Sequence, residues 1–134
     1  MPATRRLTLS KDERICSRTL TDTLFTGGKS HSLAAFPLRV VYMEQDHEEP
    51  PQTQAQILVS VPKRCFKRAV KRNRVKRQVR EAYRHHKQLL LDKLAETPNR
   101  SLAMALIWLD NNLHDSEEVG HRIENLLRRI AERI

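Results

Sequence analysis

The residues best suited to chemistry lie in one cationic stretch, "KRAVKRNRVKRQVREAYRHHK", at positions 67–87. Residues 63–87 hold 12 Lys or Arg against a single acid, Glu81, whereas the rest of the chain carries 13 basic and 15 acidic residues. The net charge of +9 on this 134-residue chain is therefore confined to one patch. A focused patch on an otherwise balanced chain favours a polyanionic partner.

Three interpretations of this stretch compete. A solvated helix would normally pair its cations with acids three or four positions away, and only Glu81 is present. A membrane-surface helix needs bulky anchors, whereas the apolar stripe here consists of Val75, Val79 and Ala82. Nucleic acid fits best, because Arg supplies forked donors to phosphates and Asn73 can reach a base edge or a sugar.

Motifs for other chemistry are weak. "GGKS" at 27–30 has Thr23 where a phosphate-binding loop requires Gly, and it follows a predicted helix rather than a strand. His85 and His86 are adjacent, so they point in different directions on a helix and cannot share a metal. We therefore expect no catalytic or metal-binding residues in the protein. A nuclease whose active site lies in the protein itself is nevertheless kept as one functional hypothesis to be tested.

Hydrophobic periodicity predicts the elements that position the cationic stretch. We expect helices over about 11–26 and 68–94, and a closing helix that Asp115 or Ser116 caps. A helical wheel of the second helix divides it into an apolar side with Val75, Val79, Ala82, Tyr83 and His86 and a charged side with Asn73, Lys76, Arg77, Arg80, Arg84 and Lys87. Strands are predicted over about 34–44, 55–61 and 101–109, the first two as an antiparallel pair joined by a long hairpin loop. This order indicates a single α+β domain over residues 1–134, with a flexible tail at 1–9 and a flexible loop at 44–54. The sequence contains neither an apolar run long enough for a membrane span nor the apolar core of a secretion signal, so a cytoplasmic location is expected.

The stretch "KRAVKRNRVKRQVREAYR", residues 67–84, resembles the signature of the bacterial ribonuclease P protein component. "SVPKR" before it and "LFTGGKS" near the start resemble flanking motifs of that family, and the similarity extends over about residues 10–131. The resemblance implies a small two-layer α/β sandwich with a sheet of three to four strands and a left-handed crossover. It also implies a short strand before residue 34.

The implied function is that of a protein cofactor of a ribozyme. In this family the RNA subunit performs the Mg²⁺-dependent removal of the 5′ leader from precursor tRNA, and Mg²⁺ is held mainly by the RNA. The implied partners are the catalytic RNA and precursor tRNA, with no protein oligomer required. The residues expected to bind RNA are Lys63, Arg64, Arg68, Arg72, Asn73, Arg74, Lys76, Arg77 and Arg80. The residues expected to hold the leader are Phe25, Phe36 and Arg39.

The chain departs from the family pattern at several positions. Thr21 stands where the family usually has an aromatic residue, and Arg39 stands where relatives often place an aromatic that faces the cleft. An extra residue and the lack of a common Gly mark the approach to the helix around Cys65. The alternative function is that of a structural RNA-binding protein, such as a ribosomal or RNA-assembly protein.

Overall fold

A computed structural model describes residues 13–15, 24–25, 28, 30–51 and 53–134. The described strands are β1 (His31–Ala35), β2 (Leu38–Asp46), β3 (Ala55–Ser60) and β4 (Arg100–Trp108). The described helices are α1 (Ala69–Leu94) and α2 (Ser116–Arg133). These four strands form one mixed sheet in the order β1-β2-β4-β3; β3 pairs parallel with β4, and the other two pairs are antiparallel. The α+β class is thus confirmed.

The prediction of one strand over 34–44 is wrong, because the segment divides into β1 and β2. A two-residue turn at Phe36–Pro37, whose peptide bond is cis, separates the strands, and Ala35 pairs with Leu38 across it. Proline has no N–H to donate to a ladder, so it fits a turn better than a strand interior. The short strand implied before residue 34 is β1.

The predicted antiparallel pairing of the second and third strands is also wrong. β2 and β3 are not neighbours, since β4 lies between them and pairs antiparallel with β2 and parallel with β3. The physical reason is burial: β4 is buried along almost its whole length, as is typical of a central strand covered on both faces. α1 forms the crossover connection between β3 and β4. The left hand of that crossover stays a prediction.

The loop predicted at 44–54 is shorter than expected, because β2 continues through Asp46. Glu44 and Asp46 at the end of β2 both pair with Arg100 at the start of β4, at 3.2 and 3.0 Å. The acids at these positions suggested a solvated loop, because the sequence does not reveal that Arg100 pairs with them. The predicted flexibility of the remaining loop is untested.

Both helices cover one face of the sheet. The core on this face includes Leu38, Tyr42, Ile57, Met104 and Trp108 from the strands and Val75, Val79, Tyr83, Ile123 and Leu127 from the helices. The opposite face carries a smaller apolar cluster of Val41, Met43, Ala103 and Ala105 with Ile15 and Leu24. The molecule therefore has apolar packing on both faces of its sheet, and Ile15 and Leu24 cover part of the face opposite α1 and α2.

The helix predicted over 11–26 and the tail at 1–9 fall mainly outside the described residues. Of the helix predicted near the C-terminus, the cap is confirmed: the Asp115 carboxylate accepts a hydrogen bond from the Glu118 N–H at 2.8 Å. Glu117 and Glu118 in its first turn further stabilise the positive end of the helix dipole. Among the described residues, no helix has the length and apolar character that a membrane crossing needs.

Candidate RNA interface

α1 begins without the features that usually stabilise a helix N-terminus. Arg68 occupies the N-cap position with an extended backbone, its side chain makes no capping hydrogen bond, and the first turn contains no acid. Lys71 and Arg72 instead lie close to the positive end of the helix dipole, where cations are unfavourable. The helix start is therefore strongly electropositive, which suits an anionic ligand and costs the free protein stability.

Burial separates the two faces of α1 as the helical wheel predicted. Val75, Val79, Ala82 and Tyr83 are buried against the sheet and α2. Arg68, Asn73, Arg74 and Arg77 are exposed, and Arg72, Lys76 and Arg80 are half-buried. The predicted RNA-binding residues from Arg68 to Arg80 thus share one element. Lys63 and Arg64 do not lie on the helix but are exposed in a turn before it.

That turn is fixed to the helix. The Cys65 N–H donates to the Pro62 carbonyl at 3.0 Å, and the Cys65 and Phe66 side chains are buried. Arg72 donates from Nη1 to the carbonyls of Phe66 and Lys67 at 2.8 and 2.9 Å. Arg72 therefore stabilises the backbone that leads into α1, a role that the sequence did not reveal. Part of its guanidinium is occupied within the protein.

Two cations at the later end of the stretch are compensated internally. Arg84 contacts the Glu81 carboxylate, and this hydrogen bond is the main cause that lowers the pKa of Glu81. The Lys87 Nζ lies 2.9 Å from both carboxylate oxygens of Glu13 and is buried. The helical wheel placed Lys87 on the charged face, and this placement is wrong because Glu13 covers it. The cations without an ion pair in the described chain therefore end near Arg80.

The other ten cations of residues 63–87 form no ion pair within the described part of the chain. We call these ten residues the cationic surface. Its members are Lys63, Arg64, Lys67, Arg68, Lys71, Arg72, Arg74, Lys76, Arg77 and Arg80. Lys67 and Lys71 were counted in the charged stretch but not predicted as RNA-binding residues, and both are exposed. The density of like charge in this stretch would have been enough to predict them as RNA-binding residues.

A groove of about 690 Å³ between α1 and α2 adjoins the cationic surface, and Arg74 and Arg77 line it. Its wall includes Ala82 and Gly120, whose small size leaves space between the helices. The groove also contains Glu81 and Glu124, so its charge is mixed. Gln78 donates from Nε2 to the His114 carbonyl at 2.8 Å and so ties α1 to the loop before α2.

His114 organises that loop. Its Nε2 lies 2.7 Å from the Asp110 carboxylate, and its other ring nitrogen contacts Glu118. Burial alone would lower the pKa of His114, but the two carboxylates outweigh burial and raise it. The ring is edge-on to Trp108, at 5.4 Å between centroids, and to Phe36, at 6.4 Å. Phe36 is 60% exposed at the β1–β2 turn.

Two of the three residues predicted to hold the leader come together on the face of the sheet opposite α1 and α2. Phe25, 47% exposed, and Arg39 line a cavity of about 370 Å³ with Leu24, Ser32 and Val41. We call this cavity the Phe25 cleft. The Arg39 Nε donates to the Ser32 Oγ at 2.9 Å. Phe36 does not line the cleft, because the hairpin turn places it beside His114.

The chain is similar to known proteins over almost its whole length. The family model described as "Ribonuclease P" matches residues 9–131. A ribonuclease P protein component from Porphyromonas gingivalis is 43% identical over 124 residues, which cover 92% of this chain and 86% of the relative. The fold resembles the RNase P protein from Thermotoga maritima, with a TM-score of 0.61 at 22% identity over 87% of this chain and 96% of the other. It also resembles the RNase P protein from Staphylococcus aureus, with a TM-score of 0.60 at 20% identity over 88% and 94%.

Proposed function

Because this chain belongs to the ribonuclease P protein family, we propose that it is the protein subunit of a bacterial ribonuclease P and that its cationic surface binds the catalytic RNA. The observation that carries the proposal is the run of ten cations from Lys63 to Arg80 without an ion pair among the described residues. Like charge of this density destabilises the free protein unless an anion neutralises it. An RNA backbone supplies phosphates at the required density.

The Phe25 cleft is the part of the proposed interface that holds the 5′ leader of precursor tRNA. Phe25 offers an exposed ring for base stacking, and Arg39 offers guanidinium donors for a phosphate. The cleft and the cationic surface lie on opposite sides of the sheet. The protein can therefore contact the catalytic RNA and the substrate at the same time. Phe36 is the weaker candidate for leader binding because it lies outside the cleft.

Catalysis is assigned to the RNA in this proposal. Mg²⁺ takes oxygen ligands, and the cationic surface presents ammonium and guanidinium groups, which do not fit that ion. In the described part of the chain, no three His, Cys, Asp or Glu side chains are grouped so that they could hold a metal. The protein's part is to fix the RNA and the substrate in place. Its charge then offsets phosphate repulsion when little Mg²⁺ is available.

Binding measurements test the choice between this function and a structural RNA-binding protein. We expect the chain to bind ribonuclease P RNA more tightly than ribosomal RNA fragments of the same length at the same salt concentration. If roughly five phosphates are engaged, log affinity should fall with log salt at a slope of about −3.5 to −4.5. Equal or tighter binding to the ribosomal fragments would favour the structural alternative.

A further inference from the structure

Residues Glu13–Ile15 run along the outer edge of the sheet beside β3. Arg14 forms a parallel bridge with Ile57, and the Ile15 N–H donates to the Ile57 carbonyl at 2.9 Å. The Ile15 side chain is buried in the apolar cluster on the face of the sheet opposite α1 and α2. This short segment is thus held by both backbone pairing and side-chain burial, while Arg14 is exposed.

The same segment is attached to α1. Glu13 receives two hydrogen bonds from Lys87, and the side chains of this pair are only 12% and 7% exposed. Lys87 follows Arg80 by seven positions, which is close to two helical turns, so both residues lie on the same face of α1. The segment that contains Arg14 therefore lies along the face of α1 that carries Arg80.

Arg80 differs from Lys87 in having no counter-ion in the part of the chain that the structure describes. It is half-buried, and no carboxylate of the described residues forms an ion pair with Arg80 or Arg14. Burial first, and then the charge of Arg14, lower the pKa of Arg80. Two like charges near each other, one of them partly desolvated, cost the free protein stability. Such an arrangement is favourable only when an anion lies between the charges.

We propose that Arg14 and Arg80 together bind one phosphate group of the RNA backbone, at the sheet edge where α1 packs against β3. The inference rests on the proposed function for the identity of the ligand, and it adds Arg14 to the interface. Guanidinium groups suit this role because their forked donors match phosphate oxygens. The Glu13–Lys87 pair acts as the support that positions Arg14. A strand of RNA bound along α1 would thereby be held at the edge of the sheet as well.

Binding of ribonuclease P RNA by Arg14→Gln, Arg80→Gln and the double variant tests the shared phosphate. Each single variant should bind about fivefold to tenfold more weakly, with a salt slope shallower by about 0.7 to 0.9. Because one phosphate is shared, the double variant should be no more than about twofold weaker than either single variant. Arg133→Gln removes an equal charge from the exposed far end of α2, and its affinity should stay within about twofold of the original.

Thermal melting with inorganic sulfate tests the anion site without RNA. Arg14→Gln should melt at the same temperature as the original chain or higher in low salt, because it removes a repulsion. Sulfate should raise the melting temperature of the original chain more than that of Arg14→Gln.

The outcomes separate the two proposals. If the original chain does not bind ribonuclease P RNA but sulfate still protects it more than Arg14→Gln, the anion site stands and the proposed function fails. If the RNA binds and the two single losses multiply in the double variant, the shared phosphate is refuted. An Arg14→Gln variant with unchanged RNA affinity and an unchanged sulfate response would also overturn the inference.

Discussion

The double charge reversal Lys76→Glu/Arg77→Glu should weaken the binding of ribonuclease P RNA by about 100-fold to 1000-fold at physiological salt. Both side chains belong to the cationic surface and have no ion pair in the described chain. Two lost charge-assisted contacts at about 1.5–2 kcal/mol each account for this range, before any repulsion from the new carboxylates. A filter-binding or fluorescence titration measures the change.

The loss would not come from unfolding. Two acids among so many cations relieve repulsion and form favourable pairs along α1, so the melting temperature should be unchanged or higher. The matched control is Arg122→Glu/Arg133→Glu, which makes the same change in charge at exposed positions of α2. If this control weakened binding as much as the α1 pair does, net charge rather than the cationic surface would govern RNA binding.

Removing Lys87 should cause the second largest effect, this time on stability. Lys87→Ala removes both Lys87 hydrogen bonds from the Glu13 carboxylate, which is only 12% exposed, and breaking a buried pair in this way costs about 3 kcal/mol. For a chain of this length, the melting temperature should fall by about 10 °C. Chemical denaturation and a thermal scan measure the two quantities.

Two further variants make this result specific. Lys93→Ala also breaks an ion pair, with Glu96 at 3.6 Å, but Lys93 is only half-buried and Glu96 is exposed, so about 0.5 kcal/mol or less is expected. Glu13→Leu/Lys87→Met replaces both charges with apolar groups and should recover most of the stability lost in Lys87→Ala. If Lys87→Ala were no less stable than Lys93→Ala, the Glu13–Lys87 pair would not hold residues 13–15 against α1.

The sequence predicted α1 well because local information suffices for an amphipathic helix. The wheel assigned Val75, Val79 and Tyr83 to the buried stripe and Arg77 to the exposed face, and burial agrees. It failed at Lys87, since the partner Glu13 lies 74 positions earlier in the chain. Helical periodicity states which way a side chain points but not what covers it.

The sheet was harder to predict for the same reason. Alternation located β3 almost to the residue, yet it carries no information on which strand is the neighbour. The run "SLAMALIWL" is apolar apart from Ser101, which is typical of a strand buried on both faces, and that signal alone would have favoured β4 as the central strand. The effect of the Arg14 charge on Arg80 was likewise not predictable, because it depends on the pairing of residues 13–15 with the edge of β3.

Reconstitution at low Mg²⁺ is the most direct test of the central claim, which is that this chain assists a catalytic RNA. Purified chain is added to ribonuclease P RNA and precursor tRNA, with parallel reactions that lack either the protein or the RNA. The proposed function predicts that the chain makes cleavage faster or substrate binding tighter, and that the protein alone cleaves nothing. Cleavage and binding that are the same with and without the chain, or cleavage by the protein without RNA, would contradict it.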